Sequence, residues 1–512
     1  MDLYLSLIEK WSEAENNAIT ENILRKSRFP ETGDQAGQWT VYGQSYTSLD
    51  GARLLMVKGP EGKKMLVWGE GELYRQLSGE EGSGYKLCGL THENRLVLNR
   101  LLPFTAPRAL GKQTATIGLG DRLGLASPGH IQTVRGREIK PVLAQQSIRE
   151  LNLTNRDYKQ VLDAASYAVL QEGYRDGYGA DGDHLKVEAD IEMALGLGFT
   201  MLTLDCSDRI DNTIDGKSEE EIDRRYAKLP VQERKRLEET YLQKEFQAGS
   251  YVIHFDPLHL KKYALIYGEA IRFTIDIYER YIRNLGRPID FELSIDETMT
   301  PTDPAAHYMV ANELHAAGLD LYSVAPRFCG EFQKGIDYIG DLEQFERQLQ
   351  VHAAIADHFD YKLSIHSGSD KFSVFPMIAR YTGGRFHVKT AGTNWLEAMR
   401  TVARVNPKLY RRMHEYAMKH YPEALAYYHV TTDFDAIVPP EKLDDGRLPE
   451  YMEDNNARQL IHITYGLLLQ AKDEQGRSLF KEELYQTLEQ HETDYEQALR
   501  HHIGRHLELL GK

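Results

Sequence analysis

The stretch "FELSIDETMTPTDPAAHYMVANELHAAGLDLYSVAPRF", residues 291–328, contains one complete strand–helix–strand unit. Its first apolar run is followed by Asp303 and Pro304, which supply a side-chain acceptor for a helix N-cap and then a residue without a backbone N–H. Gly318 can end the helix in the left-handed conformation, and a second apolar run follows it. The order predicts two parallel strands joined by a helix.

The same pattern recurs along most of the chain. The eight predicted strands are 114–122, 140–147, 178–185, 199–208, 291–298, 320–328, 361–370 and 385–393. Strands that alternate with helices predict a parallel sheet, and eight repeats predict a closed (β/α)8 barrel of the TIM type, in the α/β class. A doubly wound open sheet is the alternative.

Further segments flank or interrupt this barrel. Residues 1–108 are predicted to form a β-rich N-terminal accessory region, whose last strand-like piece spans 95–104. The barrel domain is predicted at 109–440, with a helical insertion after the fourth strand, at about 209–288, that could cover the barrel mouth. Residues 441–512 are predicted to be a helical C-terminal extension.

Composition restricts the function of this 512-residue chain. The net charge is −16, and no block of Lys and Arg stands out, so nucleic-acid binding is not expected. An anionic ligand would need a local cluster of cations. No long apolar run or signal-like segment is present, and three cysteines without close spacing suit a reducing compartment. We therefore expect a cytoplasmic protein with no membrane partner.

Polar residues stand at the carboxyl ends of nearly all eight predicted strands, and in a barrel these ends share one rim. They are Asp121, Arg122, Gln145, Gln146, Asp183, His184, Asp205, Asp208, Asp296, Glu297, Arg327, His366, Asp370 and Lys389. A single such residue is usually a helix cap or a satisfied hydrogen-bonding group. So many ionisable groups on one rim instead indicate a catalytic site.

Two of these residues, His184 and His366, predict a metal site. Imidazole and carboxylate groups are the usual ligands of divalent Zn, Mn, Ni or Co in open catalytic sites, and the identity of the metal stays open. Glu297 is either a third ligand or a free acid or base, and spacing along the sequence does not separate the two roles.

Other rim residues are candidates for substrate binding. Lys186, Arg327 and Lys389 could form the cationic cluster that an anionic substrate requires. Lys389 could instead form a Schiff base or pair with a rim carboxylate. Ser367, in the Gly-Ser turn after the seventh strand, could bind a sugar hydroxyl or carboxylate, although a plain loop is the alternative. Gln146 is a further candidate contact.

Four long motifs resemble those of one enzyme family, the tagaturonate epimerases, also called tagaturonate/fructuronate epimerases. The motifs are "GADGDHLK" (179–186), "ELSIDETMTPTDPAAHY" (292–308), "SVAPRFCGEFQKGIDYIGD" (323–341) and "LSIHSGSDKFSVFP" (363–376). The resemblance spans about residues 110 to 440, and the N-terminal region contributes little to it.

The resemblance implies a metal-dependent epimerase that interconverts D-tagaturonate and D-fructuronate, with some members acting on tagatose and fructose. It places the acid/base and metal positions of the family on Asp183, His184, Glu297 and His366. Its partners would be small ketouronates or ketoses, and a homo-oligomer is compatible with the sequence.

The chemistry of this reaction favours a retro-aldol route. The inverted carbon lies β to the ketone, so its C–H bond is not activated by that carbonyl. We assign Asp183 as the base that removes the proton of the β-hydroxyl and Glu297 as the opposing acid. Direct proton transfer at the carbon is harder but stays open. A metal-dependent aldolase or ketose isomerase is the alternative enzyme, and a sugar-binding or assembly protein on an inactive barrel is the non-enzymatic one.

Overall fold

The fold is built around a closed barrel of eight parallel strands, seen in a computed structural model that describes residues 3–15, 18–32 and 38–512. The barrel strands are Thr116–Gly118, Lys140–Ser147, Gly179–Leu185, Met201–Asp205, Asp290–Ile295, Ser323–Pro326, Lys362–Ile365 and Phe386–Lys389. Each overlaps its predicted segment. The predicted barrel is confirmed, and the open-sheet alternative is wrong, because the eighth strand pairs with the first at His387 and Thr116.

A helix follows each barrel strand and covers the outside of the barrel. These helices are Ser127–Val134, Tyr158–Gln171, Glu188–Leu197, Pro257–Ile277, Pro304–Ala316, Leu342–His358, Phe375–Tyr381 and Thr393–Val405, and a short helix, Ile148–Thr154, precedes the second of them. All six residues of the strand Asp290–Ile295 are buried. Helices outside and packed side chains inside thus explain why this strand is buried on both faces.

The unit at residues 291–328 is capped as its sequence predicts. The carboxylate of Asp303 accepts a hydrogen bond from the backbone N–H of Ala305 at 2.7 Å, and Pro304 is the first residue of its helix. Gly318 has a φ of +74°, in the left-handed region that favours glycine. The polypeptide therefore turns back and enters the next strand at Ser323.

The N-terminal region forms a six-stranded antiparallel sheet. Its strands are Arg28–Thr32, Gln38–Leu49, Ala52–Gly59, Gly62–Gly69, Glu80–Glu81 and Tyr85–Gly89, and its helices are Leu3–Glu15, Ala18–Arg25, Glu72–Gln76 and His92–Leu101. The predicted strand at 95–104 is wrong. The side chain of Thr91 caps a helix there by accepting from the N–H of Asn94, and Leu98 is buried on its inner face.

The insertion after the fourth strand contains the helices Glu219–Tyr226 and Val231–Tyr241, and also a hairpin, Glu245–Ala248 with Tyr251–His254, that the helical prediction missed. The remaining helices of the C-terminal part are Pro407–Ala424, Asn455–Ile463, Tyr465–Gln470, Lys481–Gln490 and Glu492–Leu509. None of the helices in the described ranges has the length and apolar character needed to cross a membrane. The exact domain boundaries stay predictions.

Candidate active site

A cavity of about 350 Å³ lies at the carboxyl ends of the barrel strands. The predicted site residues that line it are Asp183, His184, Lys186, Glu297, His366, Ser367 and Lys389. Arg327 lines an adjoining cavity of about 290 Å³, which shares His366 with the first. Gln146 is buried away from both cavities, whereas its neighbour Gln145 lines the larger one.

The larger cavity is closed in part by the C-terminal region. His462, on the helix Asn455–Ile463, belongs to its wall, whereas residues 209–288, all of which the structure describes, contribute nothing to it. The lid role considered for the insertion therefore stays an untested prediction.

His184, Asp296 and His366 form a group that we call the mouth cluster. Each residue offers one possible ligand atom, and these atoms lie within 4.8 Å of one another. The Nδ1 atom of His366 is 3.2 Å from a carboxylate oxygen of Asp296. Asp296 was a strand-end residue in the sequence, but spacing gave no reason to prefer it as a ligand over its neighbour Glu297.

In the mouth cluster, a carboxylate outside the cluster binds one ring nitrogen of each histidine. Asp183 binds Nδ1 of His184 at 2.7 Å, and Glu292 binds Nε2 of His366 at 2.7 Å. The other nitrogen of each ring is then the one available to a metal, and carboxylates in this position fix the orientation of metal-ligating histidines. The residues therefore fit a divalent metal ion.

Two residues that line the cavity have an unusual backbone conformation. His184 has a φ of +53° and Ser367 a φ of +49°, in the left-handed region that residues other than glycine rarely adopt. Such conformations cluster at functional sites, where the surrounding structure holds them in place. Both residues line the same cavity.

In the mouth cluster, Asp296 and His366 each stabilise the charged form of the other. Burial alone would raise the pKa of Asp296, but His366 beside it holds that pKa well below its usual range. Burial would lower the pKa of His366, but Asp296 raises it to about 10. A proton and a metal ion therefore compete for the His366 imidazole at neutral pH.

Lys389 lies at the centre of a buried ionic network. Its ammonium is 2.9 Å from a carboxylate oxygen of Asp181, 2.7 Å from Asp183 and 2.9 Å from Glu292. Burial would lower the pKa of Lys389, but Asp181 and Asp183 raise it well above its usual value. A Schiff base requires a neutral amine, so the geometry favours the ion-pair alternative for this lysine.

Asp183 connects this network to the mouth cluster. Besides His184 and Lys389, it accepts a hydrogen bond from the amide of Gln145 at 2.9 Å. Burial would raise the pKa of Asp183, but His184 and Lys389 hold it well below its usual range. The carboxyl group is therefore ionised at neutral pH.

Lys186 and Glu297 lie on the more exposed side of the cavity. The ammonium of Lys186 is 3.6 Å from a carboxylate oxygen of Asp205, 3.2 Å from Asp208 and 3.7 Å from Glu297. His184, Asp205 and Glu297 form a second group with metal-ligand spacing. The structure thus keeps open both roles that the sequence allowed for Glu297.

Several cavity residues were not assigned a role from the sequence. They are Arg122, Arg149, Glu150, Lys334 and His462. Arg122 stands at a strand end and pairs with Glu150 at 2.8 Å. Lys334 lies in a loop within one of the family motifs, where no periodic pattern indicates the direction of a side chain.

A second group with two histidines and a carboxylate lies outside this cavity, and we call it the inner cluster: Asp370, His502 and His506. His502 donates to one oxygen of Asp370, and the guanidinium of Arg458 is 2.6 Å from the other. His506 accepts from the backbone N–H of Asp370 at 3.0 Å and donates to the carbonyl of His502 at 2.9 Å. Protein groups thus occupy all of its ligand atoms.

The polar cavity, the mouth cluster and the ionic network behind it lie where barrel enzymes carry out their chemistry, and they define a (β/α)8-barrel enzyme. A family model described as tagaturonate epimerase matches residues 42–510. The chain belongs to the tagaturonate epimerase family, and it is an epimerase, an enzyme of the isomerase class.

Known relatives agree with this assignment. The tagaturonate/fructuronate epimerase of Thermotoga maritima is 41% identical over 477 residues, which cover 92% of this chain and 97% of that protein. The glycerol-complexed crystal structure of fructuronate-tagaturonate epimerase from Cohnella laeviribosi is 60% identical, with a TM-score of 0.91, and covers 97% of this chain and 99% of that one. Its native crystal structure has a TM-score of 0.92 at 60% identity, with coverage of 98% and 99%.

Proposed function

We propose that this enzyme interconverts D-tagaturonate and D-fructuronate by inverting the carbon β to the ketone, with a divalent metal held by the mouth cluster. The observation that carries the proposal is the pair of carboxylate-backed histidines, His184 and His366, in the rim cavity of a chain of this family. The relatives are named for both ketouronates.

His184, Asp296 and His366 would hold the metal, with Glu297 as a further candidate ligand. When bound, a divalent Zn, Mn, Ni or Co ion acts as a Lewis acid on substrate oxygens. Asp183 and Glu292 orient the two imidazoles through the nitrogen that faces away from the metal. Lys389 balances the charge of both carboxylates.

Asp183 would begin the reaction in the direction of fructuronate. Its carboxylate is ionised and lines the cavity, so it can accept the proton of the hydroxyl on the inverted carbon. The oxygen then forms a carbonyl, the adjacent carbon–carbon bond breaks, and its electron pair leaves an enediolate beside an aldehyde. The low pKa of Asp183 makes it a weak base, and the same contacts suit a role in positioning His184.

Glu297 would complete the inversion. After the aldehyde turns over, the carbon–carbon bond re-forms on the opposite face, and the new alkoxide takes a proton from Glu297. Solvent then resets both carboxyl groups, and the roles exchange in the reverse direction. Lys186, Lys389 and Ser367 are the proposed contacts to substrate hydroxyls from the cavity wall.

Two predicted contacts lie outside that wall. Arg327 would reach the substrate only from the adjoining cavity, and its guanidinium donates to the carbonyl of Thr298. Gln146 is buried outside both cavities, so it would act on the substrate only indirectly, through its neighbour Gln145.

Metal removal tests this function. The protein would be stripped with a chelator, reloaded with single metals, and assayed on D-tagaturonate and D-tagatose separately by NMR of the products. Epimerisation of tagaturonate that disappears on stripping and returns with one metal is expected. Failure with every metal on both substrates would defeat the proposal, and release of fragments or movement of the carbonyl would identify an aldolase or a ketose isomerase instead.

Solvent deuterium tests the route. In D2O the retro-aldol reaction leaves the original hydrogen on the inverted carbon, because only its hydroxyl proton exchanges. Deuterium on that carbon after one turnover would show direct proton transfer instead.

A further inference from the structure

The cavity has two sides of opposite charge. The mouth cluster and its neighbours carry an excess of carboxylates, including Asp183, Asp205 and Asp296. A second group of lining residues, which we call the cationic wall, carries three cations, Arg122, Arg149 and Lys334, and one acid, Glu150. Arg122 is paired with that acid through its Nε at 3.0 Å and Nη2 at 2.8 Å. Within the part of the chain that the structure describes, the other two cations of this wall form no ion pair with a carboxylate.

The two cations of this wall without an ion pair in the described part of the molecule are Lys334 and Arg149. Among the described residues, the only hydrogen bond of the Lys334 ammonium is to the hydroxyl of Ser367 at 2.9 Å. The guanidinium of Arg149 lies over the ring of Tyr428, 5.2 Å from its centre, and makes no ion pair within the described chain. Burial lowers the pKa of Lys334, and the neighbouring Arg149 lowers it further. Glu150 and Glu297 oppose that shift in part, but the three cations of the cationic wall still outnumber these two carboxylates, and an anionic ligand would offset the cost of holding the cations together.

Two buried groups on this wall also lack partners. The Nη1 atom of Arg122 has no hydrogen-bond partner in the described structure, although the residue is only 2% exposed. Both ring nitrogens of His462 are likewise buried without a partner, and burial holds the pKa of this histidine well below its usual value, so the ring is neutral. Both residues line the cavity, and buried polar atoms without a partner at a cavity wall are candidates to contact a polar ligand.

The cations predicted from the sequence are differently placed. Lys389 is surrounded by three carboxylates, and Lys186 by Asp205, Asp208 and Glu297. A substrate carboxylate there would meet an excess of negative charge, whereas contacts to hydroxyls remain open to both lysines.

We propose that Lys334, with Arg149 and Arg122, binds the carboxylate of the uronate, while the mouth cluster faces the opposite, ketone-bearing end. The inference rests on the proposed function and names the residues that select a sugar acid over a neutral ketose. The two ends are close enough for one hexose chain, because Ser367, which contacts Lys334, directly follows His366, and consecutive Cα atoms are about 3.8 Å apart. The global charge of −16 does not oppose this, since salt screens it over about 8 Å.

Calorimetric binding of D-tagaturonate and D-tagatose to the metal-loaded full chain tests the inference. Lys334→Gln is expected to weaken tagaturonate binding by about tenfold to a hundredfold, the worth of one charge-assisted hydrogen bond, and to lower the uronate-over-ketose affinity ratio by at least about tenfold. Lys334→Arg should restore most of that ratio. Arg149→Gln should lower it by a smaller factor.

A matched control is Lys408→Gln, which removes an exposed lysine at the start of the helix Pro407–Ala424 and should leave both affinities unchanged. Wild-type tagaturonate affinity should fall with added NaCl, and that dependence should weaken in Lys334→Gln. An equal loss for both ligands, or no loss for either, would overturn the inference. Turnover separates this inference from the proposed function. If the wild-type protein binds tagaturonate through Lys334 but does not epimerise it, the proposed function fails and the inference about Lys334 stands.

Discussion

The mouth cluster and the inner cluster have the same composition and opposite environments. Each joins two histidines to one aspartate with atoms close enough to share a metal. In the mouth cluster, carboxylates bind one nitrogen of each ring from behind, and the group faces a cavity. In the inner cluster, Arg458 and the backbone satisfy the aspartate and His506, and the group is buried among helices.

The difference shows that residue types alone do not make a metal site. A candidate ligand atom must not be held by a group that cannot itself bind the metal, such as a backbone N–H or a guanidinium, and space must be left for the ion and its substrate. The inner cluster instead resembles a buried network whose members are all hydrogen-bonded, a typical structural device. Three of the four predictions below change a residue at one cluster and use the other as reference, and the remaining one varies the pH.

The largest effect is expected from His366→Ala in the mouth cluster. Removing a proposed ligand should abolish stoichiometric metal binding and lower kcat/KM for tagaturonate by more than about 100-fold, since changes behind a ligand already cost 10- to 100-fold. Metal content and initial rates measure both. His506→Ala is the matched control in the inner cluster, and it should keep its metal. Equal metal loss in both variants would contradict the distinction.

Removing a carboxylate that orients a proposed metal ligand should have an intermediate effect on metal affinity. Glu292→Gln removes the carboxylate that binds Nε2 of His366, so metal affinity should fall by about 10- to 100-fold. Competition with a chromophoric chelator measures this. Glu397→Gln makes the same change beside His502, 3.3 Å away, and should leave metal affinity as it is. A weaker site in both variants would show that Glu292 acts only through general stability.

Metal affinity should also depend on pH. Because the pKa of His366 is raised to about 10 without metal, this imidazole is protonated below that pH and must lose its proton to bind an ion. Affinity should therefore fall by about tenfold for each pH unit between pH 9 and 7. Titration in buffers of different ionisation enthalpy would detect the released proton. A flat profile would show that the His366 imidazole is already neutral over this range and that no proton is lost on metal binding.

The smallest functional effect is expected in the inner cluster. His506→Ala leaves the backbone N–H of Asp370 without its acceptor, and the free energy of unfolding should drop by about 1–3 kcal/mol. Chemical denaturation measures the loss. His366→Ala serves as the control in the mouth cluster, because it should weaken metal binding more than it lowers the free energy of unfolding. A collapse of kcat/KM in His506→Ala with full metal content would assign the inner cluster a role in catalysis.

Sequence patterns were sufficient for the barrel and for much of its rim. The strands alternate with capped helices, and their ends carry Asp183, His184, Glu297 and His366, all of which line the cavity. Glu292 was not foreseen, because an acid inside a buried strand gives no sign of which way it points. Gln145 lines the cavity where Gln146 was predicted, a one-residue difference that reverses the face of a strand.

Residues that reach the site from loops could not be placed by such reasoning. Lys334 lies well inside the loop after the strand Ser323–Pro326 rather than at the strand end, and His462 belongs to a helix far along the chain. The inner cluster was missed for the same reason, since His502 and Asp370 are 132 residues apart. Periodicity reports which face of an element is buried, but not which distant element covers it.

The inner cluster also sets an order of events during synthesis. Its histidines lie on the helix Glu492–Leu509, which also pairs with the N-terminal sheet through Glu492 and Lys63. All eight barrel strands leave the ribosome before this helix does. The turn from His366 to Asp370 therefore gains its imidazole partners only after the barrel has been translated, so a nascent barrel would bring the proposed metal ligands together on a loop that is still incompletely held.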